Sequence, residues 1–378
     1  MKSVLEKIKS SSYLKLLLFF TSFVWFTKFS GVILPLHLIK SGLSFVDFSI
    51  GASLSVLAQI ITVLLISRTK LKNIHLWILS ALLYLTVFTI YVTFPSTIIY
   101  FIGALLSGVA SVIFYGPYNV SHFELTPRNK TGSGAALFFN LLTGVGIIAP
   151  IAAGTVASFS IFILLLISFI LAFIAVSFMF FQEKIDINFS VKESFKEISK
   201  VKWIIYLRGI HEALGTFITL VTITLIYEFF DLGVYGTVLA VLGILISFAV
   251  GKYSDRLSTK KHLLAPLAII NGVLTLLFIF DVFRVNIILW GLLNLVWGKI
   301  DGLFDQTALA FVMDETKDRL KTTFGREIVL NIGRLTGTLV VVLGFAIPNF
   351  IDYSIAILAS SMFMYAIYVT CIYHNLEE

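Results

Sequence analysis

The chain has 378 residues, of which 58% are hydrophobic and 13% charged, with a formal net charge of +7. Ordinary globular domains are about half apolar and about a quarter charged. A mean hydropathy of +0.98 therefore excludes soluble enzymes, nucleic-acid binders and disordered scaffolds, and indicates an integral membrane protein. The single Cys371 leaves no intramolecular disulfide and no metal or zinc ligand set.

In chain order, Lys2, Lys7 and Lys9 resemble the basic start of a signal peptide. The apolar run after Lys15 is too long for a signal h-region, and no A-x-A-like site closes it, so it reads as a retained first helix. Apolar segments follow near 16–38, 46–66, 74–94, 97–119, 134–156, 159–181, 203–227, 233–251, 263–281, 286–312, 327–347 and 352–373. These are twelve predicted spans, each close to the roughly 20 residues that cross a hydrocarbon core. Arg208, His211 and Glu212 interrupt the seventh.

With the N-terminus placed inside, the inner connections, including Arg326 before the eleventh span, hold 22 of the 28 Lys and Arg residues. The outer ones hold Lys40 and Arg284, while Lys28, Arg208, Lys299 and Arg334 fall within spans. That bias predicts a multi-pass protein of the plasma (cell inner) membrane with both termini cytoplasmic.

The expected organisation is a six-helix bundle over 1–181, a central cytoplasmic linker over 182–202 and a second six-helix bundle over 203–378. Within the linker, Phe189, Val191, Phe195 and Ile198 form the apolar stripe of an interfacial helix, or else belong to a solvated linker with some helical content. The halves share a repeat at an offset of 191: Glu124, Arg128, Lys130, Thr131, Gly134 and Asn140 match Glu315, Arg319, Lys321, Thr322, Gly325 and Asn331. Both copies lie in the loop leading into the second-last helix of their half, which predicts parallel repeats about an axis along the membrane normal.

The loop after the eighth span, GKYSDRLSTKKH, contains Gly251, Asp255, Arg256, Lys260 and Lys261. Here the chain resembles the major facilitator superfamily, whose signature is Gly, a spacer, Asp-Arg, then small and basic residues. The corresponding loop of the first half, LLISRTKLKN, keeps Arg68, Lys70 and Lys72 but lacks the Gly and the Asp. The resemblance covers essentially the whole chain. It implies an all-α membrane fold of twelve helices in two pseudo-symmetric bundles, with a cavity lined chiefly by helices one, four, seven and ten.

Asp255 can latch one access state by accepting hydrogen bonds from the positive N-terminus of helix five at Gly132-Ser133-Gly134. The alternative is a basic hairpin that only enforces topology. Helix five continues as GVGIIAPIAAG, where Gly144, Gly146, Pro150 and Gly154 imply close packing and a kink. This run is similar to the glycine-proline motif of drug exporters in that superfamily, except that Ala149 and Ala153 replace two glycines.

Ionisable groups inside the hydrocarbon are costly and mark functional sites by default. At 1.5 Å per residue, Lys28 lies about 20 Å beyond Lys15, Glu212 about 15 Å beyond Lys202, Asp305 about 13 Å before Asp314 and Arg334 about 12 Å beyond Arg326. Helix one offers Lys28 beside Trp25, and helix four offers Tyr115, Tyr118, Asn119 and His122, the last read as a solvated residue. Helix seven carries Arg208, His211 and Glu212 on one face, and helix ten carries Trp297, Asp301 and Asp305 on one face.

Asp301 and Asp305 repel if both are ionised, so one is a candidate to carry a proton. Asp305 and Glu212 are the preferred proton-coupling groups, with Lys28, Arg208 and Arg334 as substrate or counter-charge sites. Two simpler pairings compete with this: Arg208 with Glu212, and Arg334 with Asp305 or Glu212.

The resulting expectation is a monomeric secondary active transporter of a small molecule, working by alternating access and coupled to protons, with no cofactor and no nucleic-acid partner. No G-x-x-x-x-G-K-[ST] loop for ATP is present. Two alternatives stand beside it. One is a multispan enzyme acting on lipids, since DGLFD at 301–305 weakly resembles an Asp-rich phosphotransferase motif. The other is a non-transporting protein of the same fold.

Overall fold

The computed structural model describes residues 11–127, 131–254 and 260–372. Helices α1 (Ser11–Gly31) and α2 (Leu34–Lys40) make the first span, broken just before Pro35. Helices α3 (Phe45–Ile66), α4 (Asn73–Thr93), α5 (Thr97–Glu124), α6 (Thr131–Phe159) and α7 (Ile161–Met179) complete the first half. The linker holds α8 (Val191–Glu197).

The seventh span is split at Ala213 into α9 (Lys202–Glu212) and α10 (Leu214–Leu225), so the break falls one residue beyond the charged face. Then come α11 (Phe229–Ser254), α12 (Lys260–Leu277), the short α13 (Asp281–Val285), α14 (Ile287–Asp314), α15 (Arg319–Ala346) and α16 (Ile351–Ile367). Among the described residues, ten helical segments are long and apolar enough to cross a membrane. The two in eighth and ninth place show shorter apolar helices over the described residues, Phe229–Gly243 and Leu263–Leu277.

Local chemistry sets several helix starts. Ser44 and Asp47 form a reciprocal capping box on α3, and Asn286 accepts from the Ile288 and Leu289 amides at the start of α14. The first half is cored by aromatics: Phe23 stacks on Phe114 at 3.5 Å and Phe20 on Tyr118 at 4.1 Å.

The halves meet mainly through α6 against α11 and α3 against α15. These are the fifth span on the eighth and the second on the eleventh. A two-fold relation between halves six spans apart exchanges these two contacts, as parallel repeats require. Small residues permit the approach: Gly154 packs against Gly233 and the Phe229 carbonyl, while Gly236 faces Pro150. Of the other helix-five glycines, Gly146 has only Ala240 nearby and Gly144 borders open space.

The linker docks on the protein. Strands β1 (Leu71–Lys72) and β2 (Asp186–Ile187) pair antiparallel, and Phe189 stacks on Phe324 at 4.1 Å. Glu197 Oε1 accepts from the Lys317 and Asp318 amides at 2.5 and 3.1 Å, which satisfies donors at the start of α15. The interfacial-stripe reading is therefore corrected: Phe189 and Ile198 are buried against the bundle, and only Phe195 remains exposed.

Candidate functional site

Close backbone packing of α9 on α15 creates the site. Gly209 and Gly333 lie against each other's helices, and Gly337 lies against the Ile210 carbonyl. No side chain separates the two backbones there, which brings Glu212 within reach of Arg334. Helix α14 supplies Asp301 and Asp305 one turn apart, across from Arg208.

Arg208 is the hub. Its Nη1 and Nη2 donate to the two oxygens of Asp301 at 2.7 and 2.9 Å, a fork-to-carboxylate pairing. Nη2 also donates to Asp305 Oδ2 at 2.7 Å, and Nη1 to His211 Nδ1 at 2.9 Å. Since arginine can only donate, His211 Nδ1 is an acceptor and the ring is neutral, with its proton on Nε2 facing Thr275 Oγ1 at 2.9 Å. The Nε of Arg208 lies 2.5 Å from Asp305 Oδ1 and 3.4 Å from Glu212 Oε1. Its N–H is aligned on neither, so Nε has charge neighbours without a hydrogen-bond acceptor.

The two aspartates differ in engagement. Asp301 accepts from both Arg208 nitrogens and from Asn271 Nδ2 at 2.7 Å. Asp305 has one aligned donor and a side chain 21% exposed, against 14% for Asp301. Glu212 is held on its other oxygen by Arg334 Nε, and Arg334 Nη1 donates to Asn331 at 2.9 Å. Arg326 Nη1 pairs with Glu327 at 3.1 Å.

These groups face a cavity of about 430 Å³ between the halves. All of its charged lining comes from the second half: Arg208, Arg326 and Arg334 with Glu212, Asp301, Asp305 and Glu327. The first half contributes an uncharged wall that includes Gln59, Ser111, Tyr115, Asn119, Phe138 and Phe139.

Apolar clusters joining the halves lie on either side of the cavity along the bundle. At the end bearing the linker, Phe123 and Ala135 pack with Leu309, Ala310 and Met313, and Thr131 Oγ1 donates to Asp314 Oδ1 at 2.5 Å. At the far end, Phe29, Ile33 and Ala157 pack with Ile223, Ile226 and Leu232, and Lys40 pairs with Glu228 at 3.3 Å.

Of the sequence-predicted residues, Tyr115, Asn119, Arg208, Glu212, Trp297, Asp301, Asp305 and Arg334 all line the cavity, with His211 buried behind Arg208. Tyr118 does not; it is buried in the aromatic core of the first half. Trp25 packs partly buried against that same core. Lys28 is exposed, is not part of the cavity wall, and has no ion pair among the described residues. The expectation of a solvated His122 is overturned: it is fully buried, contacts the Gly134 carbonyl through Nε2 at 3.0 Å and is ringed by Tyr118, Phe123 and Phe138.

Arg334 pairs with Glu212, which decides between its expected partners. In the signature loop, Gly251 falls in α11 and Lys260 and Lys261 open α12, while Asp255 and Arg256 lie outside the described residues. Sequence reasoning missed Gln59, Ser111, Phe138, Phe139, Arg326 and Glu327 in the wall. Arg326 was assigned to a loop, but α15 begins at Arg319 and carries it into the cavity. The offset-191 repeat held the signal for this, since it extends through Asn331 and so past Arg326.

The family model described as the Major Facilitator Superfamily matches residues 14–326. No curated protein matches the chain. Among solved structures, the human organic anion transporter MFSD10 (TETRAN) is similar in fold, with a TM-score of 0.67 over 97% of this chain and 99% of that one at 11% sequence identity. With most of its length matched by the family model and nearly all of it by the fold, the chain belongs to the Major Facilitator Superfamily.

Proposed function

We propose that the chain is a secondary active transporter in which the two six-helix halves rock about the central cavity while Asp305 takes up and releases a proton. The observation that carries this reading is a charge imbalance: three arginines face four carboxylates in the cavity wall, a formal excess of one negative charge. A buried uncompensated carboxylate is costly, and protonation is the simplest way to remove it. Asp305 is the best placed to accept the proton, because it has one aligned donor against three for Asp301 and is the most exposed of the four carboxylates facing the cavity.

Protonation would also rearrange the hub. Arg208 Nε has a second carboxylate, Glu212, at 3.4 Å. Loss of charge on Asp305 favours that contact, and Glu212 then holds Arg334 less strongly. A proton is thereby linked to a cavity-facing guanidinium in another helix, as coupled transport requires differential stabilisation of two states. The lipid-enzyme alternative expects the DGLFD carboxylates at a headgroup interface, whereas they face Arg208 between the halves. The positive-inside bias of the loops supports cytoplasmic termini, and the fold of the human neighbour, itself named a transporter, supports transport.

The test uses proteoliposomes carrying pools of small polar solutes under an imposed pH gradient. Asp305→Asn is expected to insert and fold, to lose at least about 90% of gradient-driven flux in line with loss of a single proton carrier, and to keep solute exchange at equal pH. Unchanged gradient-driven flux in both Asp305→Asn and Glu212→Gln would remove the coupling assignment.

A further inference from the structure

The cavity contains polar atoms that the protein itself does not satisfy, and they indicate what it carries. All four Nη hydrogens of Arg208 are directed at acceptors on Asp301, Asp305 and His211, and its unpaired Nε is flanked by the Asp305 and Glu212 carboxylates, which repel an anion. Arg334 differs. Its Nε and Nη1 are committed to Glu212 and Asn331, while Nη2 has no hydrogen-bond partner among the described residues. Its side chain is 29% exposed, the most open of the cavity's ion-paired groups.

Trp297 also lines the cavity, and its indole Nε1 is buried without an acceptor. An indole N–H can only donate, and a buried donor left unpaired is unfavourable by itself. Arg326, about 12 Å from Arg334 along α15, pairs with Glu327 through Nη1 alone. The fully buried side-chain atoms of the wall that lack a partner, Trp297 Nε1 and Arg208 Nε, are thus both N–H donors, and Arg334 and Arg326 add two further cationic N–H groups beside the open carboxylate oxygens. Opposite them, Tyr115, Phe138 and Phe139 supply an aromatic surface with no charge.

We propose that the cavity takes an organic anion, its acidic group held by Arg334 Nη2 and Trp297 Nε1 and its apolar body laid against Tyr115, Phe138 and Phe139. This rests on the transporter reading above and names its cargo and the sense of coupling. With three arginines and four carboxylates, an anion entering the unprotonated cavity would raise the negative excess from one to two. A proton loaded first keeps it at one. Anion and proton therefore favour each other's binding and travel together, whereas a cationic cargo would compete with the proton.

The groups facing the protonation site at Asp305 set this balance from every neighbouring element. They are Arg208, His211 and Glu212 on α9, Asp301 on its own helix, Arg326, Glu327 and Arg334 on α15, and Tyr365 on α16. The first half adds only uncharged groups.

The test is equilibrium binding to the full chain in lipid nanodiscs, with protein-free nanodiscs as background. The probes are benzenesulfonate, benzyltrimethylammonium and phenylalanine, none of which changes charge between pH 5.5 and 8. Benzenesulfonate is expected to bind saturably, to quench tryptophan fluorescence, and to bind about tenfold more tightly at the lower pH, the factor for one unit of proton linkage. Arg334→Gln should weaken it about tenfold or more, as for loss of a charge-assisted hydrogen bond. Trp297→Phe should weaken it a few-fold with the pH dependence intact.

Saturable binding of benzyltrimethylammonium that weakens at low pH would overturn the anion assignment and leave the transporter reading standing. Phenylalanine binding more tightly than benzenesulfonate overturns it in favour of a zwitterion. Benzenesulfonate binding that survives Arg334→Gln, or no saturable binding of any probe to folded protein, also rejects it. Anion binding with no pH dependence keeps the cargo class and rejects its linkage to a proton.

Discussion

Arg208 illustrates how a single buried charge can organise a site. It lies 2.7 Å from Asp301, 2.5 Å from Asp305 and 3.4 Å from Glu212, so removing it strands up to three carboxylates. Breaking a buried pair from one side costs about 3–5 kcal/mol, and the carboxylates can lower that cost only by binding protons. Arg208→Gln should therefore reduce the melting temperature more at pH 8 than at pH 5, and adding Asp301→Asn should recover part of the loss. Equal losses at both pH values would show that the hub is not held by charge. Lys28 gives the contrast: with no ion pair among the described residues, Lys28→Ala should change stability by no more than about 0.5 kcal/mol. The residue types and the i, i+4 spacings of this site were legible in the sequence, because helical periodicity is local. The pairing was not, since Arg208 and Asp301 are 93 positions apart and only packing selects that partner over Glu212 on the same helix face.

At the level of elements, the site depends on how closely α9 approaches α15. A Cβ at Gly333 would run into the Tyr206 carbonyl and meet Gly209 Cα at 3.0 Å, and backbone atoms cannot move aside as a flexible side chain can. Gly333→Ala should cost about 1–3 kcal/mol, lower the melting temperature and weaken benzenesulfonate binding by displacing Arg334 from Glu212. Gly298, on α14, has nothing within 4 Å of a built Cβ. There Gly→Ala should leave binding intact and add up to about 1 kcal/mol of stability through helix propensity. Similar effects from the two substitutions would contradict the packing account. Hydropathy marked the spans but not their charged ends. It began the eleventh near residue 327, although Asp318 caps α15 and Glu197 covers the preceding amides, so the helix starts eight residues earlier and brings Arg326 into the cavity wall. For the linker, the apolar pattern could not distinguish lipid from protein as the surface that buries Phe189. The docked strands and Phe324 make it protein.

At the scale of the whole molecule, the two halves are in contact on both sides of the cavity along the bundle, each time through apolar packing with a polar link beside it. The linker end is held by Phe123 and Ala135 packed on Leu309, Ala310 and Met313, with Thr131 bonded to Asp314 and Arg319 over the Phe123 ring at 5.8 Å. The far end is held by apolar packing that includes Phe29 and by the ion pair of Lys40 with Glu228, with the Lys40 ammonium also 4.7 Å from the Tyr227 ring and 4.6 Å from that of Phe229. On the alternating-access reading proposed above, passage of a solute from one side to the other needs each of these contacts to open in turn. The chain has one cysteine, the exposed Cys371, so Cys371→Ser gives a background in which a cysteine pair can be placed at either end. Cysteines at Thr131 and Asp314, or at Lys40 and Glu228, joined by a short bifunctional thiol reagent, should each stop gradient-driven flux, while either cysteine alone treated in the same way should not. The two cross-links should differ in side: each leaves the cavity open to a labelled probe from the end that is not tied. Flux that persists at near-complete cross-linking of either pair would mean that solute passes without the halves separating, and the alternating-access reading of these two contacts would fall.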